Sequence, residues 1–471
     1  MTDSLFFLWL MTVGTLIGSF VFLSIKTTPQ LAIGIVVGLT MVVPVWILIP
    51  LFDTPYGTLY GSGLDVKLAV TASCLFLYCF MPGRTFPLKL VPSDFAMIAL
   101  VVVHVTSDLS NSGFTWMILA RIYAEWFAPY IAGRLALQSL VVPDSLWKTL
   151  AGASVLLGLF AILESIFGVK LFELIAGERP LEGFPREVTR WGVLRAYGPT
   201  MHPIYFGGLQ LLLLAWPAYG VTQALRGRVF YGWIFLPIIP ILGIFATGSR
   251  APILGLFFFV ITVVFFLVQR SRIPIIVSTV LVVAIASFNF YWIVERLEEW
   301  SGESRVAQFS RVIVDGEKVA FSGTRTRLLV LDVYRIAITR SGMLGYGTIA
   351  TSGFPINVPI SGQEISTLKQ IKFIDNAYLL MTLRFGYAGA VCFIAACLTC
   401  LWQFFWLSTS KIPRNIQLLC GMLAASLVAV YFLIATVWLP PDVSFPMLWT
   451  MGISTGLFHG HRISQSKISQ G

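Results

Sequence analysis

Arg325–Arg340 reads RTRLLVLDVYRIAITR and lies inside a mostly polar, charged stretch from Glu295 to Asn376, while the sequence on either side is close to a continuous series of apolar segments. A hydrophilic insert of this length cannot sit in hydrocarbon, where every unsatisfied backbone group is costly. It is therefore expected on one face of a membrane. Loops this long are usually functional or unstructured, and this one has a pattern of its own. Arg325, Thr326 and Arg327 open an amphipathic run ending at Arg340, Gly345-Tyr346-Gly347 follows, and Asp375-Asn376-Ala377-Tyr378 enters the next apolar segment. The stretch is read as half of an active site.

Composition agrees with the membrane. Of 471 residues 57% are hydrophobic and 11% charged, with a mean hydropathy of +0.84, which excludes an ordinary soluble enzyme of this size. Ser4 to Leu23 is long enough to span and lacks a basic leader and a small-residue cleavage site, so it is expected to remain as the first span. The formal charge of +10 is scattered through short connections and forms no single stripe, which argues against nucleic-acid binding and fits a positive-inside bias. The six cysteines all fall in apolar segments, so no extracellular disulfide framework is expected and Cys397-x-x-Cys400 reads as structural.

Windows of about twenty apolar residues place spans near 5–25, 30–50, 66–81, 94–108, 114–136, 147–167, 201–221, 229–246, 250–268, 274–293, 377–406, 415–439 and 444–459. The expected fold is an all-α polytopic membrane protein with about 12–13 transmembrane helices. One long loop on the outer face carries amphipathic helical segments. Three parts follow: an amino-terminal bundle of about ten spans over 1–293, the long loop over 294–376, and carboxy-terminal helices with a cytoplasmic tail over 377–471. Lys26, Arg84 with Lys89, Arg134 with Lys148, Arg226 with Arg228, Arg270 with Arg272, Lys411 with Arg414, and Arg462 with Lys467 fall on alternate connections, which assigns those to the cytoplasm. The connections near 52–65, 108–113, 168–200, 247–250 and 440–442, together with the long loop, are then outside.

That assignment gathers the chemically versatile residues on one face. In Gly243-Ile-Phe-Ala-Thr-Gly-Ser-Arg250-Ala-Pro252, one helix ends, Gly248 allows a reversal and Pro252 suits the first turn of the next helix. Arg250 beside that helix start fits a phosphate, because the unpaired N–H groups and the guanidinium both favour an anion. It equally fits an arginine reaching lipid headgroups. Arg327, with Arg325 beside it, opens the amphipathic segment Leu328 to Thr339 at the end where the helix dipole disfavours a cation, which a bound anion would offset. A headgroup-facing arginine is the other reading. Asp375 at the mouth of the next span is read as an N-cap, as a base for a sugar hydroxyl, or as both. Arg195 and His202 close a fourth cluster and are candidates for contact with phosphate or sugar. Arg121 and Glu125, four apart in one span, read as an intrahelical ion pair, and Arg384 lacks a local partner and must face protein or water. Nothing resembles a Walker loop, HExxH or a carboxylate-rich metal site, so neither metal nor cofactor is expected.

Thr247-Gly-Ser-Arg250, Ser322-Gly-Thr-Arg-Thr-Arg327, Gly345-Tyr-Gly347 and Asp375-Asn-Ala-Tyr-Leu-Leu followed by Phe385-Gly386-Tyr-Ala-Gly389 resemble, in order and spacing, the O-antigen ligase and Wzy polymerase superfamily over roughly residues 190–400. The resemblance implies a membrane glycosyltransferase of the GT-C type in the bacterial inner membrane, working at the periplasmic face without a metal. Its donor would be an undecaprenyl-diphosphate-linked glycan and its acceptor a sugar. The family's diphosphate-binding arginines map onto Arg250 and Arg327, and Asp375-Asn376 stands where ligases often have His-Asn. Asn376 and Tyr378 join the expected substrate-binding set with Arg195, His202 and Arg325. A second departure is Arg384, where many relatives have an acidic residue before the glycine.

The aspartate favours an O-antigen or exopolysaccharide polymerase, inverting at the anomeric carbon. The alternatives are a ligase that transfers glycan to a lipid A-core acceptor and, from another class, a lipid-linked oligosaccharide flippase or transporter. A chain-length regulator and a flippase are the expected companions of a polymerase.

Overall fold

The computed structural model describes residues 3–50, 63–84, 89–114, 116–179, 189–190, 192–288, 296, 311–314, 317–320, 334–335, 337–351 and 374–468. The chain is an all-α polytopic membrane protein. Its first part runs through α1 (Asp3–Lys26), α2 (Pro29–Thr40), α3 (Val66–Tyr78), α4 (Pro92–Ser112) and α5 (Trp116–Ile122). A π-helical turn at Tyr123–Phe127 joins α5 to α6 (Ala128–Ala136). Then come α7 (Asp144–Phe167), α8 (Leu171–Ala176), α9 (Pro203–Leu213), α10 (Ala215–Ala224), α11 (Ile238–Ala246), α12 (Arg250–Leu267) and α13 (Arg272–Phe288). Beyond the long loop lie α14 (Gly347–Ala350), α15 (Ala377–Thr409), α16 (Arg414–Ile434) and α17 (Pro441–Ile468). Each apolar segment read from the sequence contains helix, and six stretches, 5–26, 92–112, 144–167, 203–224, 377–409 and 414–434, are long and apolar enough to cross a membrane.

The expected span at 30–50 is shorter than its hydrophobicity implied. Thr28 caps α2 by accepting from the Leu31 N–H, but the helix stops at Thr40. Pro44 follows, Val45 donates to the Pro199 carbonyl at 3.2 Å, and Leu48–Pro50 pairs antiparallel with Gly63–Asp65 in the register Leu48↔Asp65. Proline and the Pro199 acceptor lead the backbone out of the helix and into this two-stranded pair.

The core is sealed where α6 meets α17. Gly452, Gly456 and Gly460 recur every fourth residue on α17, and a Cβ on any of them would collide with main chain at Tyr130, Arg134 or Gln138. Small residues at this spacing let two membrane helices approach closely. Beside the ridge Gln403 donates to Ser93 at 2.7 Å, Ser93 bonds Thr455 at 2.8 Å and the Tyr130 hydroxyl bonds Asp94 at 3.0 Å. These bonds join α4, α6, α15 and α17 through satisfied polar groups.

The connections sort to two ends. At one, Met201 donates to Asp442 at 3.2 Å, Arg195 reaches the Thr247–Ser249 turn, and Thr348 donates to Asp108. These are connections the sequence placed outside. At the other, Arg134 donates to the Lys89 carbonyl and Gln30 to that of Gly83, while Arg228 lies within electrostatic reach of Asp144. These are the connections with the basic residues.

Candidate active site

The site is built on the turn between α11 and α12. Gly248 takes a φ of +56°, a left-handed conformation natural to glycine, and a Cβ there would press on Arg195 and Arg190. The Ser249 N–H donates to the Thr247 hydroxyl at 3.2 Å. Two arginines from the connection between α8 and α9 hold this turn. Arg195 Nε donates to the Thr247 carbonyl at 3.0 Å and its Nη2 to the Ser249 hydroxyl at 2.7 Å, while Arg190 Nη1 donates to the Gly248 carbonyl at 3.0 Å. Arg250 opens α12 immediately afterwards and is half-buried.

Burial lowers the Arg195 pKa to about 10, and the nearby charges of Arg190 and Arg250 push the same way. The Tyr197 phenol acts in the opposite sense. Three guanidinium groups thus gather at the start of an 18-residue helix, whose first N–H groups and dipole also attract negative charge. Such a place favours an anionic ligand.

A second set of groups closes on the same place. His202 caps α9, its Nδ1 accepting the Ile204 N–H at 3.2 Å, and its ring centroid is 5.3 Å from that of Tyr205. Trp438 Nε1–H donates to the Tyr205 hydroxyl, and the Asp375 carboxylate acts electrostatically on that phenol. Ile204 and Tyr205 pack against Ala251, Leu433 and Val437. A Cβ on Gly207 would strike Pro252, so α9 lies directly against the first turn of α12. Tyr205 thus adjoins His202, lies in the field of Asp375 and packs on Ala251, the residue after Arg250.

Asn376, not Asp375, caps α15: its side chain accepts the Leu379 N–H at 3.0 Å. Tyr378 turns away, its hydroxyl donating to the Tyr431 carbonyl at 3.0 Å. Arg325 and Arg327 lie outside the described residues, as does most of the amphipathic run, of which 334–335 and 337–340 are helical.

The end of the long loop is fastened into a break in α15. Gly386 has φ +66° inside that helix, so its hydrogen-bond ladder is interrupted. Tyr346 N–H fills the gap by donating to the Leu383 carbonyl at 2.8 Å, and Tyr387 and Ala388 donate to the carbonyls of Gly342 and Met343 at 3.0 and 3.2 Å. Next to the break, Asp108 accepts the Thr348 N–H at 2.6 Å and bonds His104 Nε2 at 3.1 Å. Trp126 donates to His104 Nδ1 at 2.9 Å, which leaves Nε2 as the ring's N–H toward Asp108. Arg384 finds a partner in Thr351, Nε to Oγ1 at 3.1 Å, and lies in the field of Glu125, Arg121 and Asp108. The Arg121–Glu125 pair is present at 3.8 Å.

Residues 235–394 match the family model Wzy_C, described as O-Antigen ligase. The match supports a likeness to the O-antigen ligase and Wzy-like superfamily, and that family implies a membrane glycosyltransferase-like enzyme of ligase or polymerase type acting on a lipid-linked glycan and an acceptor. No curated protein matches the chain. The O-antigen ligase match takes in Arg250, Arg327, Asp375 and the Gly386 break, and leaves Arg190, Arg195 and His202 before it.

In this O-antigen ligase-like chain, a buried charged set missed in the sequence supports the segment that carries Arg195 and His202. Glu164 accepts the Gly198 N–H at 3.0 Å, Arg179 donates to the Gly198 carbonyl at 3.0 Å, and Asp442 accepts the Met201 N–H. Arg179 is 2% exposed, stacks 4.6 Å from the rings of Trp46 and Tyr197, and approaches Glu173 at 3.4 Å. Lys67 stands 3.7 Å from Asp442. In the sequence Lys67 falls within an apolar span and Asp442 in a short connection free of basic residues. Their pairing joins positions far apart in the chain, and no local pattern announces it. Among the described residues, no group of three or more His, Cys, Asp or Glu side chains could hold a metal ion.

Proposed function

We propose that the protein is a polysaccharide polymerase of the O-antigen or exopolysaccharide kind, which transfers glycan from an undecaprenyl-diphosphate donor to an acceptor sugar at the periplasmic face of the inner membrane. The observation that carries this reading is the gathering of Arg190, Arg195 and Arg250 at the start of α12. A diphosphate supplies the negative charge such a place favours, and guanidinium binds it bidentately.

In the reaction the bond between the anomeric carbon and the diphosphate oxygen breaks, and that oxygen keeps the electron pair. Fixed cations stabilise the growing charge most in the transition state, which is how binding becomes rate. Arg250 is assigned this role, with Arg327 as the second cation implied by the resemblance. Asp375 takes the acceptor hydroxyl proton as its oxygen attacks from the opposite side, giving inversion. No step in this scheme calls for a metal.

The test is purified protein with lipid-linked repeat units alone. A ladder of longer lipid-linked chains is expected, and Arg250→Ala is expected to reduce it about a hundredfold or more while the protein still inserts. The description of the matched family favours a second reading, transfer of finished glycan to a lipid A-core acceptor. Product only after that acceptor is added would select it. Movement of the lipid-linked glycan across vesicles without bond formation would displace both.

A further inference from the structure

A cavity of about 480 Å³ opens at the other end of the bundle, between the start of α4 and the end of α17, lined by Lys89, Leu90, Val91, Phe95, His459, Arg462 and Ile463. It is remote from the candidate active site. α4 carries Asp108 and α17 carries Asp442 at the opposite end, and Asp442 precedes His459 by seventeen residues of helix, about 25 Å.

The polar rim of this cavity is firmly built. Arg134, 5% exposed, donates to the Lys89 carbonyl at 3.0 Å and pairs with Asp94 at 2.9 Å. Asp94 in turn accepts the Val91 N–H at 2.9 Å, and buried His459 bonds the Lys89 main chain. The backbone that presents the Lys89 ammonium is therefore fixed from both neighbouring helices. Arg462 is held over the Phe458 ring at 4.9 Å. Below the two cations the surface turns apolar. Leu90 and Phe95 are 45% and 59% exposed, and Ile98 and Val102 continue from Phe95 at helical spacing at 42% and 55%. Trp402, whose ring lies 5.4 Å from Phe458, adds an amphipathic residue at the same level.

We propose that this cavity binds one anionic phospholipid, with the headgroup phosphate between Lys89 and Arg462 and an acyl chain along Phe95, Ile98 and Val102. Basic pockets between membrane helices suit such headgroups. The apolar stripe beginning directly beneath the cations identifies the occupant as a lipid, since a free phosphate has no use for it.

Native mass spectrometry of the purified full-length chain tests the site, with phosphatidylglycerol, phosphatidylcholine and inorganic phosphate as separate probes. The expected result is one phosphatidylglycerol retained in preference to phosphatidylcholine, with roughly tenfold or more weakening in a Lys89→Gln, Arg462→Gln double variant. A Lys411→Gln, Arg414→Gln variant at another basic connection is expected to bind like the parent. The single variants Lys89→Gln and Arg462→Gln keep the test intact if the double variant does not fold, each predicted to weaken retention. Equal retention of both lipids, equal loss at Lys411 and Arg414, or phosphate binding as tight as the lipid's would overturn the proposal. None of these outcomes depends on glycosyl transfer.

Discussion

The Arg195 guanidinium spans the turn that precedes Arg250, with Nη2 at 2.7 Å from the Ser249 hydroxyl and Nε at 3.0 Å from the Thr247 carbonyl. One edge of the group, Nε with Nη2, is thereby committed to protein, so its contribution to an anion site is to hold Arg250 as well as to add charge. A lysine keeps the charge and cannot reproduce the planar fork. Arg195→Lys and Arg195→Ala are therefore both expected to reduce turnover per folded molecule, by about tenfold or more. Activity near the parent level in Arg195→Lys would mean that charge alone matters.

The same arginine gives a pH dependence. Its pKa in the fold is lowered to about 10, well below the ordinary arginine value, because burial and two neighbouring cations oppose the charge. Between those values the unfolded chain holds the proton more tightly than the folded one, so this group's contribution to stability improves as pH rises through 10. Anion binding changes in the other direction, since the cluster loses a cation there. Added pyrophosphate is expected to raise Tm near neutrality and to raise it less above pH 10. A Tm increase that does not shrink over that interval would contradict the assignment.

Asp442 acts two steps from the site, through Met201 and the segment leading to His202. Asp442→Ala would leave both the Met201 N–H and Lys67 buried without their acceptor, a change that typically costs about 3–5 kcal/mol. Asp442→Asn preserves an acceptor for the amide but not the charge facing Lys67, and is expected to recover part of the stability. The order of Tm values, parent above Asn above Ala, is the measurement. Hydrogen exchange at Met201, slow in the parent and faster in Asp442→Ala, shows whether the segment itself has loosened.

The break at Gly386 is the most exacting backbone feature of the carboxy-terminal half. A side chain there meets positive φ and the main chain of Met343 and Leu344. Gly386→Ala is expected to destabilise the protein by ~3 kcal/mol or more, because the loop must withdraw from the helix to make room. Gly345→Ala faces the Arg384 carbonyl from the other side and is expected to behave alike. A Gly14→Ala control within α1, where a Cβ meets no other part of the protein within 4 Å, should not lower Tm.

The limits of the sequence reading follow from the range of the interactions. Hydropathy located the helices because burial in lipid acts on every residue of a span, and basic residues sorted the connections into the two groups that the structure gathers at opposite ends. The Thr247–Arg250 turn was legible because Gly248 and Pro252 are local signals. The partners of Arg195, Asp442 and Arg384 were not, since each bond spans 33 to 241 positions. Asp375 and Asn376 show the finer limit. Both residue types cap helices, and only the bond from Leu379 tells which of two neighbours does so.

That distinction separates two roles in adjacent residues. Asn376→Ala removes the cap and is expected to cost ~1 kcal/mol in stability. Asp375→Asn keeps the shape of the side chain and leaves the cap in place, so Tm should hold. The Tm increase given by pyrophosphate should also persist, because the arginine cluster is untouched. What is expected to disappear is proton removal from the acceptor, lowering product formation by about 10²–10⁴-fold. Normal product from Asp375→Asn with intact pyrophosphate binding would show that the acceptor is deprotonated by another group, and His202, whose ring adjoins Tyr205, would be the next residue to replace.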